Sequence, residues 1–519
     1  MTFLKRAATS LALFLFWTPL ALGQDVMLAS RDGKVELAGT LLGFDGEFYR
    51  LRTEFGELTV DGSGVICEGP GCPNLDAFVA ELQMSGAAPM GAVLMPALVS
   101  AFAERNGYTV TREDTSPTRF TLLLSRADTG DLTARFGFSA TNTDEGFADL
   151  LVDQADVVMA LREIRRDERI NAREIGLGDL TGANRSRVLA LDAVVPIVSP
   201  TNPVRRITPL DLARVLAGEI DNWQLLGGPD APIDLHLPAT ESGLGQAIVD
   251  QILAPVDLEL TTSITRHAQT DGLAAAVVKD IFALGVTSFS DHRDAQVLTL
   301  GGSCGFALDA SRRTIKTEDY PLTAPMFLYF PARRLPLIAR EFLAFTREPV
   351  AQNVIRRAGF VDQAPEEIAI EDQGNRFANA ITTAGAETTL QELQRMTATL
   401  TPMSRLTTTF RFEAGSIRLD AQSRSNVQQL ARAMEQGQYD ARRVTFVGFI
   451  DGEGAARANR EIALRRAEAV MRAVSAAAVT ANLERIELGV NAFGEAMPMA
   501  CDESDWGKQV NRRVEVWVQ

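Results

Sequence analysis

The chain has 519 residues, 46% of them hydrophobic, with 51 Lys and Arg against 67 Asp and Glu for a formal charge of −16. That imbalance argues against nucleic acid and anionic lipid as partners, since both need clustered positive charge. The apolar content argues against disorder, and the length fits about three domains.

The chain starts MTFLKRAATSLALFLFWTPLALG, where Lys5 and Arg6 precede an apolar run from Leu11 to Trp17 and the small-x-small pattern Ala21-Leu22-Gly23 follows. This predicts a cleaved signal peptide over residues 1–23. The alternative is a membrane anchor, but the apolar core falls short of the roughly 18 to 20 residues of a span. No cysteine follows the cleavage pattern, so lipid anchoring is not expected. Loss of Lys5 and Arg6 leaves the mature chain at −18 and places it in the periplasm, with outer-membrane association open.

Residues 24–75 alternate in the strand manner through KVELAGTLLGF, EFYRLRTEF and ELTVDGSGVICEG, with hairpin signals at Asp32-Gly33 and Asp45-Gly46. A small antiparallel unit is expected, resembling an Sm-like or SH3-like β-barrel. Cys67 and Cys72 sit in CEGPGCP, a loop that suits a local disulfide. A metal pair is the rival, though His236, His267 and His292 all lie far away in sequence. Cys304 and Cys501 can pair only if distant segments meet, which spacing leaves open.

From 76 to 365, short apolar strands alternate with amphipathic helices, predicting an α/β domain with a largely parallel sheet and room for two lobes. Residues 366–404 read as a helical linker. From 405 to 519 the predicted order is strand Leu406–Phe412, helix Ala421–Glu435, strand Arg443–Phe449, helix Asn459–Ala476, strand Ile486–Ala492 and strand Arg513–Val518, a compact α+β domain.

Four C-terminal segments, FRFEAGSIRLDAQS, VTFVGFIDGEGAARANREIALRRAEAV, NAFGEAMPMACD and GKQVNRRVEVWV, occur in the order of the OmpA-like peptidoglycan-binding domain, which this region resembles. The resemblance implies non-covalent binding of the diaminopimelate side chain of the peptidoglycan stem peptide. That ligand carries an ammonium and a carboxylate on one carbon. Asp451 would accept from the ammonium and Arg466 would hold the carboxylate in a charge-assisted pair. Asn459 is expected to cap the second helix and order the loop, and Asn511 and Arg512 lie in the segment the family brings to the same groove. Arg465 reads as a solvated neighbour. Ile450 departs from the family, which mostly carries Thr before this Asp. Without the family context, an ordinary surface ion pair between Asp451 and Arg466 would be the simpler reading.

The central region resembles the phosphate-type periplasmic solute-binding proteins through GAAPMGAVLMPALVSAFAERNGY, FSATNTDEGFADLLVDQADVVMALREI, NPVRRITPLDLARVLAGEIDNW, HLPATESGLGQAIVDQIL and DIFALGVTSFS. This resemblance implies two lobes joined by crossing strands, a small anionic solute such as phosphate in the cleft, and an ABC permease as candidate partner. Helix N-termini would capture the anion: Ser139, Thr141, Thr143 and Gly146 of SATNTDEG, Ser242 and Gly243 of ESGLG, and Arg162 at a strand end. The local alternatives are a helix cap at Ser242 and a salt bridge from Arg162 to Glu163 or Asp167. Several departures weaken phosphate: Ala87, Ala88 and Pro89 follow Gly86, the residues before the Ser-Gly pair are Pro238, Ala239 and Thr240, and Asp144, Glu145 and Glu241 add negative charge.

No H-E-x-x-H and no P-loop pattern occur, and three scattered histidines do not compose a triad. No cofactor and no metal are expected. The expected function is a non-catalytic envelope receptor tethered to the cell wall. The alternative is a scaffold whose solute-binding domain has become an interaction module.

Overall fold

The computed structural model describes residues 25–519 apart from 76–77, 183, 269, 303–305, 386–387, 414 and 503–504. The expected signal peptide and Cys304 therefore lie outside the described residues. The chain divides into two compact units, one ending at Ala80 and one from Glu81 to Gln519.

In the first unit the strands Val26–Ser30, Glu36–Phe44, Phe48–Thr53, Gly56–Asp61 and Val65–Glu68 form one antiparallel sheet. The turns follow from their residues. The Asp45 carboxylate accepts from the amides of Glu47 and Phe48 at 2.9 and 2.6 Å, while Gly46 takes a φ of 94° that a side chain would resist. Val26, Leu28, Tyr49 and Leu51 form the small core. The pairing runs from Gly56–Asp61 at one edge to Val65–Glu68 at the other, and no described pairing joins these edges. The unit is therefore an open sheet rather than the closed barrel the sequence pattern suggests. Cys67 and Cys72 form a disulfide with Cα atoms 5.8 Å apart.

The second unit begins with a two-lobed domain. Strands Ala80–Ala87, Tyr108–Asp114, Arg119–Arg126, Leu132–Thr141 and Val157–Ala160 make the sheet of the first lobe, and Asp234–Pro238, Thr265–His267 and Ala283–Ser288 that of the second. Ser186–Val198 crosses between them. It pairs antiparallel with Thr323–Tyr329 over residues 186–193 and with Ala283–Ser288 over residues 194–198, so one strand belongs to both lobes. The sheet is mixed, not largely parallel. Residues 115–118 and 127–131 are too short for crossover helices and enforce antiparallel hairpins, because parallel neighbours need a dozen or more connecting residues. Helix Pro209–Ala217 shows how local chemistry sets the elements. Thr208 caps it by accepting from the Asp211 amide at 2.9 Å, Pro209 opens it, and Gly218 ends it at φ 78°.

The C-terminal domain has a five-stranded sheet ordered Glu367–Ile368, Ser404–Phe410, Arg513–Val518, Arg443–Phe449, Glu487–Gly494. Helices Ala421–Glu435 and Ala456–Ala477 cover one face through Leu430, Met434, Val470 and Val474. Residues 366–404, read from sequence as a helical linker or packed connector, form helices Gly374–Thr382 and Leu390–Leu400 that cover the other face through Met396, Leu400, Phe449 and Trp517. The terminal strand is thus buried on both sides. Its period of two places Val514, Val516 and Val518 in the first core and Arg513, Glu515 and Trp517 opposite.

Glu515 accepts from Arg513 at 2.7 Å, Arg376 at 2.5 Å and Trp517 Nε1 at 3.1 Å, with Arg405 Nε at 3.4 Å. Burial opposes its charge, but the three guanidiniums outweigh that and hold its carboxyl far below the usual range. Arg405 also grips Asp319 of the two-lobed domain at 2.6 and 3.0 Å, and Arg411 donates to the Glu318 carbonyl at 2.5 Å. Buried charge therefore docks the C-terminal domain on the segment that leads into the crossing strand Thr323–Tyr329. Arg405→Ala is expected to cost about 3–5 kcal/mol, because it strands Asp319 and part of Glu515 without a partner. Chemical denaturation of the full chain measures it, and a loss below about 1 kcal/mol would contradict this docking.

Candidate functional site

Strand Arg443–Phe449 and helix Ala456–Ala477 position the first site. Gly448 makes their close approach possible, since a Cβ there would sit 2.1 Å from the Ala463 carbonyl oxygen. Asp451 follows that strand and is 4% exposed, while Arg466 projects from the helix at 6% exposure. Burial of both excludes an ordinary surface ion pair. Among the described residues Asp451 pairs with Arg512, Oδ2 to Nη1 at 2.7 Å, and not directly with Arg466.

Arg466 donates from Nη2 to the Ser416 carbonyl at 3.3 Å and lies 4.9 Å over the Phe412 ring. Its buried Nε and Nη1 have no partner. Burial lowers the Arg466 pKa, and Arg512 pushes the same way against the attraction of Asp451. A desolvated guanidinium with two unused N–H groups is costly to the fold and chemically suited to a carboxylate. Arg465, next to it, is exposed.

Asn459 does not cap the helix. The helix begins at Ala456 with Ala455 in the cap position, so Asn459 falls inside its first turns. From there it donates to the Asp451 carbonyl at 3.5 Å. Asn511 is fully engaged as a loop brace. It accepts from the amides of Met499 and Ala500 and donates to Ala500 O and to Asp502 Oδ1, whose Oδ2 accepts from the Gly452 amide at 2.8 Å. Asn511 thereby shapes the loop after Asp451 rather than offering free donors. Ile450, in the family's Thr position, is buried at 6% exposure and leaves this loop without a hydroxyl there.

The second site lies between the lobes. Asn142 caps helix Thr143–Leu151 by accepting from the Glu145 amide at 2.9 Å, and Thr143 Oγ1 accepts from the Leu161 amide at 3.1 Å. Gly146 serves packing, since a Cβ there would lie 2.8 Å from Gly86 Cα. Arg162 is held by Glu168 at 2.6 and 2.9 Å and by Asp144. Burial works against its charge, but those carboxylates outweigh it and raise its pKa. Asp144 also meets Arg165 at 3.1 Å and, across the lobes, Gln246 at 3.0 Å. The Ser242 hydroxyl is spent on its own helix, accepting from Gly245 N at 3.0 Å and donating to Ala239 O at 2.7 Å. Gly243 sits so close to Leu161 of the other lobe that an added Cβ would be 3.2 Å away.

The predicted residues thus divide. Arg162, Thr143, Ser242 and Gly243 gather where the lobes meet, whereas Ser139 lines a separate recess with Gln83, Ser85, Arg119 and Asp149. The buried hydroxyls of Ser139 and Thr141 have no hydrogen-bond partner. Beside the interlobe contact, a cavity of about 270 Å3 is bounded by Leu161, Arg162 and Gln251 and by Gln422, Trp506 and Gln509 of the C-terminal domain. Arg162 Nε, Gln251 Oε1, Gln422 Oε1 and Trp506 Nε1 are buried there without partners. Sequence reading missed Gln251, Gln422 and Trp506 because only the docking of separate segments brings them together. No group of three or more His, Cys, Asp or Glu suited to a metal occurs among the described residues, and no helix among them is long and apolar enough to cross a membrane.

A model of the PBP superfamily domain matches residues 75–348. The chain belongs to the PBP superfamily. An OmpA family model matches residues 411–512, so the C-terminal part is an OmpA domain. The PBP domain is similar to the phosphate-binding protein PstS of Borreliella burgdorferi, 22% identical over 205 residues, 37% of this chain and 71% of that protein. Among solved structures, an ABC-type phosphate transport receptor from Vibrio cholerae is 16% identical over 54% of this chain and 99% of its own, at TM-score 0.41. A peptidoglycan-associated lipoprotein from Burkholderia pseudomallei is 23% identical over 21% of this chain and 89% of its own, at TM-score 0.19.

Glu318 borders the cavity between the PBP and OmpA domains and takes a φ of 56°. Burial first, then repulsion from Asp420, pushes its carboxyl up to about 8, although Arg411 and Asn426 oppose this. A folded-state value above the ordinary 4.5 means that the native state holds an extra proton. Its contribution to stability is full below about pH 4.5 and is lost as pH rises through about 8. Glu318→Gln is therefore expected to gain stability relative to wild type between pH 5 and pH 8. Paired thermal melts check this, and an unchanged difference would contradict it.

Proposed function

We propose that this protein is a non-catalytic receptor of the cell envelope, held in the periplasm on peptidoglycan by its OmpA domain while its PBP domain takes a small anionic solute such as phosphate. The observation that carries the first half is Arg466, buried beside Asp451 with two N–H groups unused. A diaminopimelate carboxylate would satisfy those groups, and its ammonium would compete with Arg512 for Asp451. Asn459, Asn511 and Arg512 then act by holding the loop and balancing its charge. The second half is supported by the family membership and by relatives named as phosphate-binding proteins. An ABC permease is the corresponding partner.

A second reading has its own support. Asp144 reaches from one lobe to Gln246 of the other and neutralises Arg162 and Arg165, so the protein's own carboxylate stands where an anion would be drawn. On this reading the PBP domain is an interaction module and the wall-binding domain is the active part.

Arg466→Ala is expected to weaken sedimentation with purified peptidoglycan at least tenfold, about 1.4 kcal/mol or more. Arg466→Met should do the same while raising stability by about 1 kcal/mol, since it removes a desolvated charge. Undiminished sedimentation of both variants would refute the clamp. For the PBP domain, phosphate at about 100 times its Kd should stabilise the chain by about 2.7 kcal/mol. A thermal-shift series with phosphate, sulfate and small organic acids decides between the readings, and no shift with any of them would favour the scaffold.

A further inference from the structure

A second cavity, of about 230 Å3, lies away from both sites, between the first lobe of the PBP domain and helix Ala421–Glu435 of the OmpA domain. Its charged lining is entirely basic: Arg187 from the crossing strand, Arg347 just beyond helix Leu337–Phe345, and Arg424 and Arg432 from the OmpA helix. Neutral polar groups complete it, among them Ser186 and Ser425. In a chain of formal charge −16, four half-buried arginines line one small space with no carboxylate in its wall.

The arginines are also poorly compensated. Arg187 donates from Nη1 to the Leu343 carbonyl at 2.8 Å and to Thr346 Oγ1 at 3.2 Å, but both acceptors are uncharged and its buried Nε has no partner. Arg347 and Arg432 form no ion pair among the described residues. Outside the wall, Glu413 lies 3.8 Å from Arg424, whose Nη1 donates to the Leu419 carbonyl, and Glu435 exerts a weak pull on Arg432. Burial lowers the pKa of Arg187, Arg347 and Arg432 alike. Arg347 and Arg432 add to the fall at Arg187, and Arg432 adds to that at Arg347, which drops to about 10. These arginines therefore repel one another across the seam between two domains.

We propose that this cavity is a binding site for a small multivalent oxyanion of the phosphate or sulfate type, which cements the OmpA domain to the first lobe of the PBP domain. Guanidinium forks from both domains converge on it, and planar N–H pairs match oxyanion geometry. Occupancy exchanges mutual repulsion for attraction to a shared counter-charge, so the anion and the docked arrangement of the two domains stabilise each other. The site is separate from the interlobe cleft, and its occupant needs no permease.

The test compares the full mature chain with the double variant Arg347→Gln/Arg432→Gln, using equilibrium dialysis of labelled inorganic phosphate and thermal melts in phosphate, sulfate and chloride at matched ionic strength. Wild type is expected to bind one more phosphate per chain than the variant, and to melt several degrees higher in phosphate or sulfate than in chloride. The variant should lose at least half of that rise and, with repulsion removed, melt at or above wild type in chloride. Arg347→Lys/Arg432→Lys keeps the charge and should keep most of the rise, which guards against simple misfolding of the Gln variant. Phosphate held in the cleft would survive the Gln substitutions, so the two sites are distinguishable. Equal melting in all three salts, or full phosphate binding and full rise in the Gln variant, would overturn the proposal.

Discussion

The second unit of the structure turns on one buried carboxylate. Glu515 sits in a strand covered on both faces, where its charge survives only because Arg376, Arg405 and Arg513 surround it. Each of those arginines comes from a different place: the helix that covers the sheet, the neighbouring strand, and the terminal strand itself. The same Arg405 reaches on to Asp319, so the charge balance that completes the OmpA sheet also docks the PBP domain. Arg512, which pairs with Asp451, immediately precedes this strand. The Asp451 loop, the domain core and the domain junction are therefore linked through one strand and its charges.

Two kinds of arginine follow from that arrangement. Those around Glu515 and Asp319 are paired with buried carboxylates and hold the architecture. Arg466 is buried with two N–H groups unpartnered, and the half-buried group at Arg187, Arg347 and Arg432 has little counter-charge. Folding tolerates such groups only at a cost in stability, which a bound anion would offset on the function and the further site proposed above. In the PBP domain the charge of Arg162 is balanced by the protein's own Glu168 and Asp144, although its Nε has no hydrogen-bond partner. The interlobe arginine therefore speaks less strongly for an anionic ligand than Arg466 does.

Much of the OmpA domain was legible in the sequence. Helix Ala421–Glu435 and strands Arg443–Phe449 and Arg513–Val518 follow the apolar periodicity to the residue, and Asp451 and Arg466 stand out as chemistry in an apolar frame. Other features depend on distant segments. Asn459 looks like a cap because Asn favours that position, yet packing extends the helix upstream to Ala456. Asn511 looks like a ligand group, but its donors and acceptors are consumed by the 499–502 loop. Alternating strands and helices suggest a parallel sheet, whereas the short connections at 115–118 and 127–131 make hairpins. The cavities between the PBP and OmpA domains are assembled from residues over a hundred positions apart, and no local pattern announces them.

On the proposed function, Arg466 receives a ligand carboxylate within the OmpA fold. Side-chain NMR of the arginine Nε–Hε groups, during titration of the full chain with meso-diaminopimelate, tests it most directly. A saturable shift of the Arg466 signal is expected, with a smaller one at Arg512 as Asp451 turns toward the ligand ammonium, while Arg405 and Arg513 stay fixed. An unmoved Arg466 signal at saturating ligand would contradict it.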